Sequence, residues 1–217
     1  MTVNNHNLGI RGNEFATLLD NTRCTNIHGE VVDTEENINQ LAKLMTSTSE
    51  AGGTIYVVGN GGSAAVASHA ITDFVNACHL RAFTLHESSL MTCMANDFGY
   101  VDSFKLILKT VFKKNDILIA ISSSGNSPNM HHSAEIAKSM GGTVVTLSGF
   151  KSENPLGKMG DMNFWLDSCN YGFVEIGHLF ILHNLADRIA AGIFKGKKLD
   201  YHPADTASEP EKLAVVV

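Results

Sequence analysis

Cysteine is scarce in this chain: Cys24, Cys78, Cys93 and Cys169 are the only four, and no two of them form a C-x-x-C pair. That argues against a disulfide frame and for reduced thiols. No apolar run approaches the roughly 18 residues that a membrane-spanning helix needs. The opening MTVNNHNLGIRGNEF has neither an apolar h-region nor a cleavage site. The expectation is a cytoplasmic protein with no membrane partner. Long charge runs are missing too, and 22 acidic against 16 basic residues give a formal net charge of −6. No nucleic-acid partner is therefore expected, because an electrostatic footprint for one is absent. An anionic ligand would have to find local donors.

What is present is ordinary: 217 residues, 44% of them hydrophobic. A domain of that size buries roughly 70% of the surface its unfolded chain exposes, so it folds without disulfides or a structural metal. A metal, if bound, would be functional. The runs TIYVVGN (54–60), RAFTLH (81–86), DILIAIS (116–122), TVVTLSG (143–149) and MNFWLDS (162–168) are near-continuously apolar, as strands buried on both faces are. Helical patterns fall between them at Ala64–Ala77, Ser89–Asn96, Ser103–Phe112, Pro128–Met140 and a short piece near Leu156–Met159. This alternation predicts a doubly wound α/β domain with a parallel sheet.

Two more helices are expected to flank it, at Thr34–Ser49 and Tyr171–Phe194. The second is apolar around most of its circumference (Ile176, Leu179, Phe180, Ile181, Leu182, Leu185, Ile189, Ile193), which predicts an oligomer interface. The division expected is an N-terminal segment 1–31, a domain 32–196 and a C-terminal tail 197–217. The tail from Tyr201 has no periodicity and is assigned no fold.

Three places could carry chemistry. The first strand runs through Gly59 into Asn60-Gly61-Gly62-Ser63 and a helix, where glycines admit positive φ and the helix N-terminus offers N–H groups to an anion. The cluster is neither a dinucleotide nor a P-loop fingerprint, and a plain tight turn is the alternative. The third strand ends in Ser122-Ser123-Ser124-Gly125-Asn126-Ser127-Pro128, whose four hydroxyls and helix N–H groups suit a phosphate monoester without Lys or Arg. Both turns lie at the carboxyl ends of strands, where open α/β sheets place ligands.

The third place is a pair of helices, the one after the glycine turn and the C-terminal one. His69 and Asp73 stand i, i+4 on one helix face, a spacing that chelates a metal, holds an acid/base pair or makes a mere surface hydrogen bond. Glu175, His178 and His183 interrupt the apolar C-terminal helix, and His178 is the candidate for a satisfied core histidine. Glu175 and His183 are about 12 Å apart in helix rise, so shared ligation of one ion demands full side-chain reach or neighbouring subunits. Ala95-Asn96-Asp97-Phe98-Gly99-Tyr100 reads as a loop, in which Asp97 could also bind a sugar hydroxyl.

Taken together, GNGGSAAVASHAITDF, MTCMANDFGY, AISSSGNSPN and VEIGHLFILH resemble the sugar isomerase (SIS) domain family, and within it the phosphoheptose isomerases, over about Val32 to Phe194. The resemblance implies a flavodoxin-like, five-stranded parallel sheet with helices on both faces and a homotetramer formed through the N- and C-terminal helices. It implies conversion of sedoheptulose 7-phosphate to D-glycero-D-manno-heptose 7-phosphate through a cis-enediol, assisted by a divalent metal, usually zinc. By position, Ser122, Ser123, Ser124 and Ser127 match the phosphate loop, the turn 60–63 the sugar contacts (Asn60, Gly61, Gly62, Ser63), and Asp97 the acid of N-D-F-G. His69 and His183 match the metal and catalytic histidines.

Asp73 stands where the family has its catalytic Glu, and Glu175 where it has Gln, so His69, Asp73, Glu175 and His183 are the expected ligands. Asp73, Glu175 and His183 are the expected catalytic groups, with the base either Asp73 or Glu175. Ala77 and Gly172 replace a family Arg and Asp, which leaves the exact sugar phosphate open. A non-catalytic SIS protein binding a sugar phosphate or a protein partner, as the DnaA-binding regulators do, is the alternative. An isomerase or epimerase of another sugar phosphate is a further one.

Overall fold

The structure, a computed structural model, describes residues 7–192. In chain order the elements are α1 (Leu8–Asp20), β1 (Arg23–Asn26), β2 (Val31–Val32), α2 (Thr34–Glu50), β3 (Ile55–Gly59), α3 (Gly62–Asn76), β4 (Ala82–Thr84) and α4 (Ser88–Phe98). There follow α5 (Ser103–Val111), β5 (Ile117–Ser122), α6 (Pro128–Ser139), β6 (Thr143–Ser148), β7 (Met162–Trp165) and α7 (Tyr171–Ala190). Single 3₁₀ turns sit at Tyr100–Asp102 and Leu156–Lys158. Among the described residues no helix is long and apolar enough to cross a membrane.

The five expected strands form a parallel sheet in the order β7-β6-β5-β3-β4. Every residue of β3 and β5 is buried, which is why their sequences are apolar without alternation. Odd and even positions serve different faces. Ile55, Val57, Ile117 and Ile119 pack with α2, α3 and α7, whereas Tyr56, Val58, Leu118 and Ala120 pack with α5 and α6.

The sheet is nevertheless seven-stranded, because the antiparallel hairpin β1–β2 joins it through β1 against β7. A four-residue and a two-residue strand are too short to show a period of two, so the sequence carries no signal for them. The segment 1–31 thus supplies a strand of the same sheet, and Leu18 of α1 enters its core. Residues 193–194 of the last expected helix and the tail after them lie outside the described residues.

Burial within the chain accounts for much of the apolar circumference of α7: Val174, Ile181, Leu182, Leu185 and Ile189 are in the core. Ile176 and Phe180 remain 55% and 51% exposed, the latter edge-on to Phe15 of α1.

Strand register puts Gly59 beside Ile121 and Ser122 beside Ser148, so the turns after β3, β5 and β6 meet at one sheet edge. From β3 the chain winds first to β4 and then back to β5, and ligand crevices open at such reversals. At the opposite end, Asp116 is 2% exposed and accepts hydrogen bonds from Thr54 N (2.8 Å) and Lys113 N (2.7 Å). Asp116→Ala orphans two backbone donors, and urea unfolding should show a loss of about 2–4 kcal/mol.

Candidate active site

The serine-rich turn is tied to its surroundings by several contacts. Ser122 closes β5, and Ser127 is the N-cap of α6 with Pro128 opening the helix. The hydroxyls of Ser122 and Ser127 lie 3.0 Å apart, and the buried Ser123 hydroxyl has no protein partner. Gly125 sits at φ +66° with the Asn154 side chain where a Cβ would stand, so both conformation and space require glycine there. His131 Nε2 donates to Gly125 O at 2.8 Å and Leu156 N to the same oxygen at 3.1 Å. The turn is held from outside while its hydroxyls face inward.

Those hydroxyls line a recess of about 190 Å³ with Asn60, Ser63, Ile121, Tyr171 and Glu175. Among the described residues, no Lys or Arg lines it. Gly61 (φ +55°) and Gly62 form the turn without lining the recess. A Cβ at Gly62 would run into the Glu175 carboxylate, so this glycine lets α7 bring an acid against the start of α3. Asn60 exchanges hydrogen bonds of 2.9 and 2.8 Å with Asn129, and its Oδ1 also accepts from the Tyr100 hydroxyl at 2.8 Å. Asn129, Tyr100 and Tyr171 are site residues that sequence reasoning missed. Asn129 stands two residues past the last loop serine, a spacing that could have flagged it; the two tyrosines carry no local signal.

A second cluster stands further along the same two helices. His183 Nδ1 lies 2.9 Å from Asp73 Oδ2, His69 Nε2 lies 3.9 Å from the same oxygen, and the two imidazole centroids are 4.8 Å apart. One donor atom from each of the three falls within 4.8 Å of the others. Two imidazoles and a carboxylate, all partly exposed, fit a divalent ion with room for further ligands.

The four expected ligands are therefore not brought together within this chain: Glu175 lies outside the cluster and in the serine recess. The helix rise of about 12 Å between it and His183 explains the separation. Asp97 lies in neither place. It is exposed in the last turn of α4, which Gly99 ends, so residues 95–98 are helix rather than loop. Its carboxylate accepts from Asn96 Nδ2 at 2.9 Å.

His178 is the core histidine that the sequence suggests, fully buried, with Nε2 donating to Ser148 O at 3.1 Å. His86 does the same for the glycine turn, with Nε2 3.1 Å from Gly59 O and Nδ1 2.6 Å from the Thr84 hydroxyl. Burial lowers the pKa of both, that of His178 to about 4.

The fold and this site define a class. The SIS domain family profile matches residues 22–149, and the chain belongs to that family. Within it, the chain stands with the phosphoheptose isomerases. The phosphoheptose isomerase of Trichlorobacter lovleyi is 31% identical over 163 residues, covering 72% of this chain and 83% of that protein. That of Cytophaga hutchinsonii is 33% identical over 163 residues, covering 71% and 85%. The solved structure of a phosphoheptose isomerase from Francisella tularensis matches with a TM-score of 0.71 at 26% identity, over 84% of this chain and 94% of that one.

The depressed pKa of His178 makes stability pH-dependent. An unfolded histidine takes up its proton near pH 6.5, and the buried one resists until about 4, so its contribution is complete above 6.5 and lost as pH falls between these values. Urea unfolding over this window should show a decline of up to about 3 kcal/mol from this group, and a shallower decline in His178→Gln.

Proposed function

We propose that the chain is an aldose–ketose isomerase that converts sedoheptulose 7-phosphate to D-glycero-D-manno-heptose 7-phosphate. The single observation that carries this reading is the recess in which the four serines of the turn after β5, Ser63 and one carboxylate converge at the carboxyl edge of the parallel sheet. The names of the relatives point the same way.

Ser122, Ser123, Ser124 and Ser127 would bind the phosphate together with the N–H groups opening α6. That end anchors the sugar, and its reacting carbons extend toward α3 and α7. Glu175 shares the recess, whereas Asp73 is engaged by His183 outside it. We therefore assign the base to Glu175, which takes a proton from C1 and returns it at C2. His183 stands about 12 Å of helix rise from Glu175, so it would serve the two sugar oxygens in a neighbouring subunit's recess, exchanging the proton between them, with Asp73 beside it to orient the ring.

His69, Asp73 and His183 would hold a divalent ion, zinc by family expectation. When bound there, the ion supplies polarisation of the sugar oxygens. Asp97 is retained as a sugar contact only if another subunit or a moved α4 brings it to the recess. The exposed apolar residues of α7 and α1, Ile176, Phe180, Leu8 and Ile10, support assembly through these helices, which we propose as a homotetramer. Four free cysteines suit a reducing, cytoplasmic setting.

Proton NMR of the zinc-loaded protein with sedoheptulose 7-phosphate should show new aldose anomeric signals, lost on chelation. Absence of these signals with metal bound refutes the substrate, and their persistence after chelation refutes the metal. In Glu175→Gln, kcat should fall by about 100-fold or more, while substrate affinity measured by calorimetry is preserved. A Glu175→Gln protein with unchanged kcat would return the role of base to Asp73.

A further inference from the structure

Glu175 and the serine turn approach one recess from different elements, α7 and the end of β5, and their supports are continuous. His178 stands one turn beyond Glu175 on the same helix, is fully buried, and donates from Nε2 to Ser148 O at 3.1 Å. Ser148 ends β6 and pairs in register with Ser122, the first hydroxyl of the turn. Its own hydroxyl accepts from Asn154 Nδ2 at 3.1 Å, and Asn154 is the side chain that packs against Gly125. The next residue, Gly149, donates its N–H to Ser123 O at 2.9 Å and lies under Val174, which precedes Glu175. Residues 148 and 149 thus carry the serine turn on one side and seat α7 on the other.

Around that bond the seat is apolar, with Val174, Ile181 and Leu182 buried in it, and the other polar ties of α7 lie further along the helix: His183 to Asp73, Cys78 Sγ to Ala186 O at 3.3 Å, and Arg188 to Asn39 at 2.9 Å. Apolar burial is non-directional and permits a helix to slide or rotate slightly. A hydrogen bond to a strand-end carbonyl has a required length and angle and does not. The imidazole is therefore the directional contact that ties the Glu175 end of α7 to the strand carrying the serine turn.

We infer that His178 is a positioning residue for the isomerisation: its bond to Ser148 O sets the Glu175 carboxylate at the distance from the phosphate-binding turn that proton transfer requires. The inference rests on the function proposed above. Losing the bond leaves the serine hydroxyls in place and moves the base, so the effect falls on kcat and not on KM. Misplacement by about 1 Å can cost about 10²-fold in rate.

The test compares His178→Gln with His178→Asn in the full chain. The Gln amide nitrogen reaches the position of Nε2; that of Asn matches Nδ1 and stops short of the carbonyl. With sedoheptulose 7-phosphate, the Gln variant should keep kcat within about fivefold of the parent and the Asn variant should lose about 30- to 100-fold, both with KM within about threefold. Thermal melting followed by circular dichroism checks that both fold. Equal kcat in the two folded variants, or a loss expressed in KM, overturns the inference. A parent protein inactive on this substrate overturns the functional reading, and the inference with it. If His178→Asn does not fold, His178→Gln alone decides, because a folded Gln variant with a large loss of kcat overturns the inference.

Discussion

Everything at the candidate site depends on how closely α7 lies along α3. The two helices come from distant parts of the chain and share no strand, yet one contributes Ser63, His69 and Asp73 and the other Tyr171, Glu175 and His183. Their approach is set where side chains are missing. A Cβ at Gly62 would displace the Glu175 carboxylate. Phe74 and Val66 on α3 and Leu182 and Leu185 on α7 fill the interface below. Close packing of this kind tolerates little readjustment. The ion-like cluster and the recess are consequently one assembly, spaced by helix rise.

Much of this was legible in the residues. Strands β3, β5 and β6 announce themselves because central parallel strands are apolar on both faces, and the glycine and serine turns sit where such strands end. The hairpin β1–β2 was not legible, since Arg23-Cys24-Thr25-Asn26 pairs only because β7 offers an open edge. That is a tertiary cause with no local pattern. The same holds within the site. The i, i+4 pair His69 and Asp73 is readable from helix geometry, and the family resemblance supplies His183. The engagement of Asn60 by Asn129 and Tyr100 spans 69 and 40 residues and appears only once the sheet has formed. Asp97 shows the converse error: a polar pair before glycine suggests a loop, but Gly99 only terminates a helix that already contains it.

The separation of the carboxylates gives this chain a division of labour. Asp is one methylene shorter than Glu, and at position 73 that keeps the carboxylate on α3 within 2.9 Å of His183. Committed there, it is poorly placed to reach a carbon held near the serine turn. Glu175 carries the longer side chain on the helix that overhangs the recess. It also brings a carboxyl group into the recess proposed for the phosphate, which among the described residues no Lys or Arg lines. Neutral hydroxyls and helix N–H groups can hold a dianion beside a carboxylate only if the two anions stay at opposite ends of the bound sugar. A substrate with its phosphate several carbons from the reacting centre keeps the two charges further apart than a three-carbon sugar phosphate does. Under the proposed function, the recess would therefore favour a long-chain sugar phosphate such as a heptose 7-phosphate over shorter ketose phosphates.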